Sequence, residues 1–232
     1  MSFNINESCS KPAMHLYQSL IENKIKEIEG RITFELIKLT LPVNEKNPIG
    51  SLIGEWVGKW MRHKSIFFRN NENTQIPPDY YLGKDNQSNF LEVKCFDYNK
   101  APNFDVAQFD AFTRDLIEHP YRLDADYLIF GYELKDGTLR IKDLWLKKLW
   151  DITKPSKKWP INVNVKQGII HNIRPYNFKS MSTGFKPFRT RIEAAKAISE
   201  TLKKYPNRRT RNPNSWLSKL KRAYFSSCGQ EL

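Results

Sequence analysis

The chain reads as an α/β protein of the α+β type, and three observations predict that class. Residues 13–29 and 49–61 carry apolar side chains at helical spacing, with polar positions between them. The run Tyr127-Leu128-Ile129-Phe130-Gly131-Tyr132 is continuously apolar, as expected of a buried central strand. In Phe90-Leu91-Glu92-Val93-Lys94-Cys95-Phe96, Glu92 and Lys94 would point to one side of a strand while Leu91, Val93 and Cys95 point to the other.

Taken in order, Met14, Tyr17, Ile21, Ile25 and Ile28 define the first helix, and Gly30 is placed to cap its end. Residues 31–43 fit helix and strand equally. A second helix has the apolar stripe Ile49, Leu52, Ile53, Trp56, Val57, Trp60 and Met61, which leaves Gly54, Glu55, Gly58 and Lys59 on the other side. Residues 65–69 read as a short strand leading to Pro77-Pro78-Asp79. Turn-forming residues Gly83-Lys84-Asp85-Asn86 then suit a hairpin into the Glu92 strand. The next helix starts with Asp105 as N-cap and ends before Pro120; Asp105 and Gln108 have capping-box spacing, which explains Gln108 better than a place in the catalytic cleft does. After the central strand come an Asp136-Gly137 turn and a return strand at residues 139–141.

From Lys147 the character changes, with Trp150 and Trp159 scattered among lysines. A hairpin is expected from residues 161–165 through Gln167-Gly168 to Ile169 and Ile170. Residues 174–189 have little periodicity, many hydrogen-bond donors and no acidic residue, which suits a loop contacting phosphates and bases and equally a cationic surface loop. Arg174, Lys179, Lys186 and Arg189, with Arg191 just beyond it, are candidates for nucleic-acid contact. Thr190 and Glu193 open a helix to about Lys204. A basic cluster without acidic partners, Arg208, Arg209 and Arg211, precedes a short helix around Trp216 and Leu220.

At 232 residues the chain is expected to form a single domain, with residues 1–150 as a core and 151–232 as a basic extension. Its net charge of +13 attracts polyanions, but charge alone does not separate DNA from RNA or an anionic membrane. Cys9, Cys95 and Cys228 lie far apart and the four histidines are scattered, so neither a zinc motif nor a disulfide framework is expected. No basic-then-apolar leader or membrane-length stretch is seen, and a cytoplasmic, non-membrane protein is expected.

The chemistry concentrates in Pro78-Asp79 and, after twelve intervening residues, Glu92-Val93-Lys94. Hydrolysis of a phosphodiester needs water to attack a phosphorus shielded by negative oxygens while a poor alkoxide departs. Hard divalent cations meet both demands, and two carboxylates with a substrate phosphate suffice to hold Mg2+. Asp79 and Glu92 are candidates for those carboxylates, and Lys94 for the group that positions the attacking water and offsets developing charge. The bland reading is a surface hairpin in which Glu92 and Lys94 form a weak pair.

This motif resembles that of the PD-(D/E)XK nucleases, to which many Type II restriction endonucleases belong, and the central two thirds of the chain, including Asn172-Ile173-Arg174-Pro175, resembles the NgoBV/NlaIV-like enzymes. The resemblance implies a restriction-endonuclease-like core, a central mixed β-sheet flanked by helices, followed by a basic C-terminal DNA-binding region. It implies Mg2+ held by Asp79, Glu92 and the backbone carbonyl of Val93, with Lys94 beside the water. Glu55, on the preceding helix, is a further acidic candidate; its alternative is a solvated helix glutamate. The implied substrate is a GC-rich palindrome in double-stranded DNA, cut to 5′-phosphate and 3′-hydroxyl ends by a homodimer in a prokaryotic cytoplasm that also holds a cognate DNA methyltransferase. The residues leave open a structure-specific repair or junction nuclease and a non-catalytic nucleic-acid-binding protein.

Overall fold

The computed structural model describes residues 4–73, 77–180, 184–205, 208–210 and 212–232. In chain order the elements are α1 (Lys11–Glu22), β1 (Glu29–Arg31), β2 (Thr33–Leu36), β3 (Leu39–Pro42), α2 (Ile49–His63), β4 (Arg69–Asn70), β5 (Tyr80–Tyr81), β6 (Phe90–Asp97), β7 (Ala107–Gln108) and α3 (Phe109–Glu118). A 3-10 turn at Pro120–Asp124 leads to β8 (Asp126–Lys135), β9 (Thr138–Lys148), α4 (Leu149–Ile152), β10 (Val163–Lys166), β11 (Ile169–Ile173), α5 (Arg191–Lys204) and α6 (Pro213–Cys228). The chain divides into two compact units: residues 1–102 with 126–147, and residues 103–125 with 148–232.

The first unit is built on a sheet of order β1-β9-β8-β6-β5-β4. It is mixed, because β6 and β8 run parallel at its centre while β5 and β4 continue antiparallel on one side and β1 pairs antiparallel with β9 on the other. One sheet face carries the apolar set Leu91, Leu128, Phe130, Leu144 and Leu146, packed with Leu16 and Leu20 of α1 and Ile53, Val57 and Met61 of α2. Both helices therefore cover that face, and Glu92 and Lys94, alternating with Leu91 and Val93, belong to the other. The β8–β9 hairpin turns at Asp136 and Gly137, both at positive φ (50° and 71°), as its sequence leads one to expect. Glycine is required there twice over, since a Cβ on Gly137 would meet Pro42 at 2.7 Å.

Helix α1 ends at Glu22, seven residues short of the expected boundary, and Gly30 lies in β1 opposite Leu139. The stop is a Schellman motif without glycine. Lys24 takes the left-handed conformation (φ 57°), its N–H donates to the Ile21 carbonyl, and the Ile25 N–H donates to the Leu20 carbonyl. The ambiguous segment 31–43 is a β2–β3 ribbon, with Ile37 and Lys38 at positive φ in its turn. Of the expected strand at 65–69 only Arg69 is retained, in β4; Ser65 at φ 54° breaks the extended run. In α2 the apolar stripe is wider than the buried face. Leu52 and Trp56 stay exposed, while Gly58 is buried against Tyr80.

The second unit packs α3, α5 and α6 beside a sheet of order β10-β11-β7. Trp216 of α6 is buried and its indole N–H donates to the Thr113 carbonyl at 2.7 Å; Phe109 meets Tyr205 edge to face. The β10–β11 hairpin turns at Gln167 and Gly168 as expected. Helix α3 begins at Phe109 rather than after Asp105. Gln108 is itself the N-cap, accepting from the Ala111 N–H at 2.5 Å, because Ala107 and Gln108 are drawn into a strand against Ile173 and Asn172. Helix α6 runs sixteen residues, longer than the short helix expected.

Candidate active site

Strands β5 and β6 bring the two motif halves together. Tyr80 pairs with Leu91 and Tyr81 with Phe90, so Asp79, immediately before β5, lies alongside Glu92 and Val93. Its carboxylate Oδ2 accepts the Val93 N–H at 2.7 Å, which ties the Asp79 side chain to the backbone of the motif triplet. Glu92 is 3% exposed, and its Oε2 lies 2.8 Å from Lys94 Nζ. With Glu92 buried and Lys94 half-buried, the pair orients its members better than a fully exposed salt bridge, because water screens it less. The expected turn between the strands is held by Arg69, which donates to the Gly83 carbonyl at 3.1 Å, the Asp85 carbonyl at 2.6 Å and Asn86 Oδ1 at 2.8 Å, and stacks over the Tyr81 ring.

Two tyrosines, neither singled out by the sequence, complete the surroundings. Tyr127 is the β8 residue in register with Glu92, buried on the same sheet face. Its hydroxyl is held well above the ordinary range by burial first, then by the charges of Glu92 and Asp79. Tyr80, next to Asp79, is buried and donates from its hydroxyl to the Gly54 carbonyl at 2.7 Å, fastening the start of β5 to α2. Its pKa is raised by burial and then by Asp79. Only the apolar company of Tyr127 and the motif proximity of Tyr80 mark them in the sequence.

Glu55 sits on the exposed side of α2 in an i,i+4 pair with Lys59 at 3.1 Å. Among the described residues no group of three or more His, Cys, Asp or Glu side chains is gathered as a metal site. The donors the sequence leads one to expect, the Asp79 and Glu92 carboxylates and the Val93 carbonyl, are all hard oxygens. Such a set fits Mg2+, which binds through one or two carboxylates plus substrate phosphate and keeps several waters.

The expected DNA-contacting residues lie in the second unit and divide into two groups. Arg174 is engaged by the Asp105 carboxylate and the Asn103 carbonyl, and Arg191 by Asp124 (3.1 Å), the Tyr224 hydroxyl and the Trp150 ring. Arg208 donates to the Tyr205 carbonyl at 2.7 Å, and Lys179 is half-buried. Lys186, Arg189 and Arg209 are exposed, while Arg211 lies outside the described residues. The acidic partners Asp105 and Asp124 come from remote positions, which is why the sequence around each arginine does not announce them.

A mixed sheet whose adjacent strands hold two carboxylates and a lysine in this way defines a nuclease of the restriction-endonuclease class. Comparison with known proteins agrees. A family model described as NgoBV restriction endonuclease matches residues 10–232. The Type II restriction enzyme NlaIV of Neisseria lactamica is 42% identical over 217 residues, 91% of this chain and 88% of that protein. The Type II restriction enzyme NgoBV of Neisseria gonorrhoeae is 38% identical over 158 residues, 67% of this chain and 90% of that protein. A solved structure of NlaIV restriction endonuclease superposes with a TM-score of 0.88 at 39% identity, covering 95% of this chain and 91% of that one. The chain belongs to the NgoBV restriction endonuclease family.

Proposed function

We infer that this Type II restriction endonuclease of the NgoBV/NlaIV type hydrolyses double-stranded DNA with Mg2+ held by Asp79, Glu92 and the Val93 carbonyl. The observation that carries the assignment is the Asp79–Val93 hydrogen bond beside the pair of buried Glu92 with Lys94, on neighbouring strands. Mg2+, when bound, supplies positive charge for the phosphate oxygens and promotes ionisation of water. The Val93 N–H fixes the direction of the Asp79 carboxylate. Glu92 aims the Lys94 ammonium, which holds the attacking water and offsets charge on the phosphate as it develops. In-line attack leaves a 5′-phosphate and a 3′-hydroxyl. Exposed Lys186, Arg189 and Arg209, with Arg211, are proposed to contact DNA, Arg174 and Arg191 serving chiefly to hold their own unit together. A palindromic target calls for a two-fold homodimer, one active site per strand, and such an enzyme requires a cognate methyltransferase to protect its host.

The test is digestion of unmethylated plasmid or phage DNA with Mg2+ and with EDTA, beside Asp79→Ala and Glu92→Ala. Discrete Mg2+-dependent fragments, lost in both variants with DNA binding kept, support the reading. Cleavage that survives Asp79→Ala would remove this site from the mechanism, and preferential cutting of branched DNA would replace the restriction reading with a junction nuclease.

A further inference from the structure

Asp79, Glu92 and Tyr127 stand in a row across the sheet of the first unit. Asp79 precedes β5 and lies alongside Glu92 of β6, while Tyr127 of β8 pairs with Glu92 from the other side. Neighbouring strands lie about 5 Å apart and paired residues share a face, so the row spans about 10 Å on the face that carries Lys94. Along that face β8 sets Tyr127, Ile129 and Gly131, all buried, beside Glu92, Lys94 and Phe96 in turn. Of these β8 residues Tyr127 alone brings a polar side chain, and it does so next to the buried carboxylate.

Packing does not call for that hydroxyl. The neighbouring Leu128, Ile129 and Phe130 fill their places with apolar side chains, and a phenylalanine would fill this one. Tyr127 is 3% exposed, and its hydroxyl makes no hydrogen bond to another described residue. A hydroxyl withdrawn from water without a partner costs stability, which phenylalanine would spare. Burial, then the charges of Glu92 and Asp79, raise its pKa, in keeping with a place beside both carboxylates.

We propose that Tyr127 is a positioning residue for Glu92: its hydroxyl donates to the Glu92 carboxylate when Lys94 turns to water and phosphate. The inference rests on the function proposed above, which asks two things of one ammonium. Glu92 Oε2 lies 2.8 Å from Lys94 Nζ, yet Lys94 is also the group that holds the attacking water. A buried carboxylate that gives up its ion partner needs another donor to stay aimed. Tyr127 is the donor set against it in register. A phenol suits this role because it is uncharged and both donates and accepts: it steadies the carboxylate without competing with a divalent cation for it, and its lone pairs take hydrogen bonds from water.

The experiment compares the full chain with Tyr127→Phe, using Asp79→Ala as the control in which the cation site is broken. The probe is Mn2+, which favours the same oxygen donors as Mg2+, counted by the loss of its free-ion paramagnetic resonance signal. Tyr127→Phe should bind Mn2+ about 10–100-fold more weakly, the usual effect of losing a group that hydrogen-bonds a ligand. Single-turnover cleavage with Mg2+ should fall by a similar factor, while Tm stays at or above that of the wild type. Adding Mn2+ should also shift the tyrosine ultraviolet band of the wild type by an increment that Tyr127→Phe lacks. Unchanged Mn2+ affinity and rate in Tyr127→Phe, or a lowered Tm with affinity kept, overturns the proposal. If the wild type takes up Mn2+ and Asp79→Ala does not, that failure belongs to Tyr127 alone; a wild type that takes up none overturns the metal site itself.

Discussion

Gly58→Ala tests whether the packing of α2 on β5 positions Asp79. A methyl group on Gly58 would lie 2.7 Å from the Tyr80 hydroxyl oxygen, 3.2 Å from Cζ and 3.3 Å from Cε1. Restoring ordinary contact requires the ring to withdraw by about 0.7 Å. Tyr80 has little room to do so, being buried, packed edge to face on Phe68 and bonded through its hydroxyl to the Gly54 carbonyl. Overpacking of this kind destabilises by about 1–3 kcal/mol, and straining the Tyr80 hydrogen bond adds about 1 kcal/mol. The helix preference of alanine over glycine offsets about 1 kcal/mol. The net loss of about 2 kcal/mol lowers Tm by about 4–8 °C in a chain of this size. Because Tyr80 adjoins Asp79, cleavage should fall further than stability; displacements near 1 Å cost about a hundredfold, so a drop of tenfold or more is expected. Differential scanning fluorimetry and plasmid cleavage measure the two effects. Adding Tyr80→Phe removes the 2.7 Å clash and should recover part of both. A Gly58→Ala protein that melts higher and cuts as fast as the wild type would refute the reasoning, leaving only the propensity gain.

Lys94→Ala should reduce the single-turnover cleavage rate by about 10²–10⁴-fold with DNA affinity nearly unchanged, the range expected for losing a group that positions and polarises water; a loss of affinity without a loss of rate would assign Lys94 to phosphate binding instead. Ca2+ in place of Mg2+ should permit binding but not cleavage, because it accepts looser geometry and activates water less well; gel-shift and cleavage assays run in parallel check this. Arg69→Ala frees the turn at Gly83–Asn86 from three hydrogen bonds, and cleavage should fall while Tm changes by only a few degrees, since two of the three are exposed. Tyr17, Tyr80, Tyr127, Tyr132, Tyr176 and Tyr224 have raised pKa values, each with burial as the largest cause, Tyr132 reaching about 12. Their contribution is fully present below the unfolded value of 10.0 and is lost as pH rises through the folded values, so stability should decline above about pH 10. An ultraviolet difference titration that ionised all ten tyrosines together near pH 10 while the protein stayed folded would contradict this.

By itself the sequence determined the parts of this protein whose signals are local. The Asp136-Gly137 and Gln167-Gly168 turns, the Thr190 cap, the apolar strand at Tyr127 and the alternation about Glu92 each depend on neighbours a few residues away, and each stands as expected. The arrangement of the candidate triplet was legible for the same reason: a strand period and a short hairpin suffice to bring Asp79, Glu92 and Lys94 together. Tertiary structure decided what depends on distant partners. The end of α1 is set by a left-handed lysine where glycine was expected, and the Asp105 side chain goes to Arg174, leaving the cap of α3 to Gln108. Asp124 likewise claims Arg191, and Glu55 is left on the exposed side of α2. Amphipathic patterning shows that a face should be buried but not what buries it, so neither Gly58 beneath Tyr80 nor the exposed ribbon at Phe34–Leu41 was visible in the order of residues. Their surroundings are assembled by segments that meet only when the sheet closes.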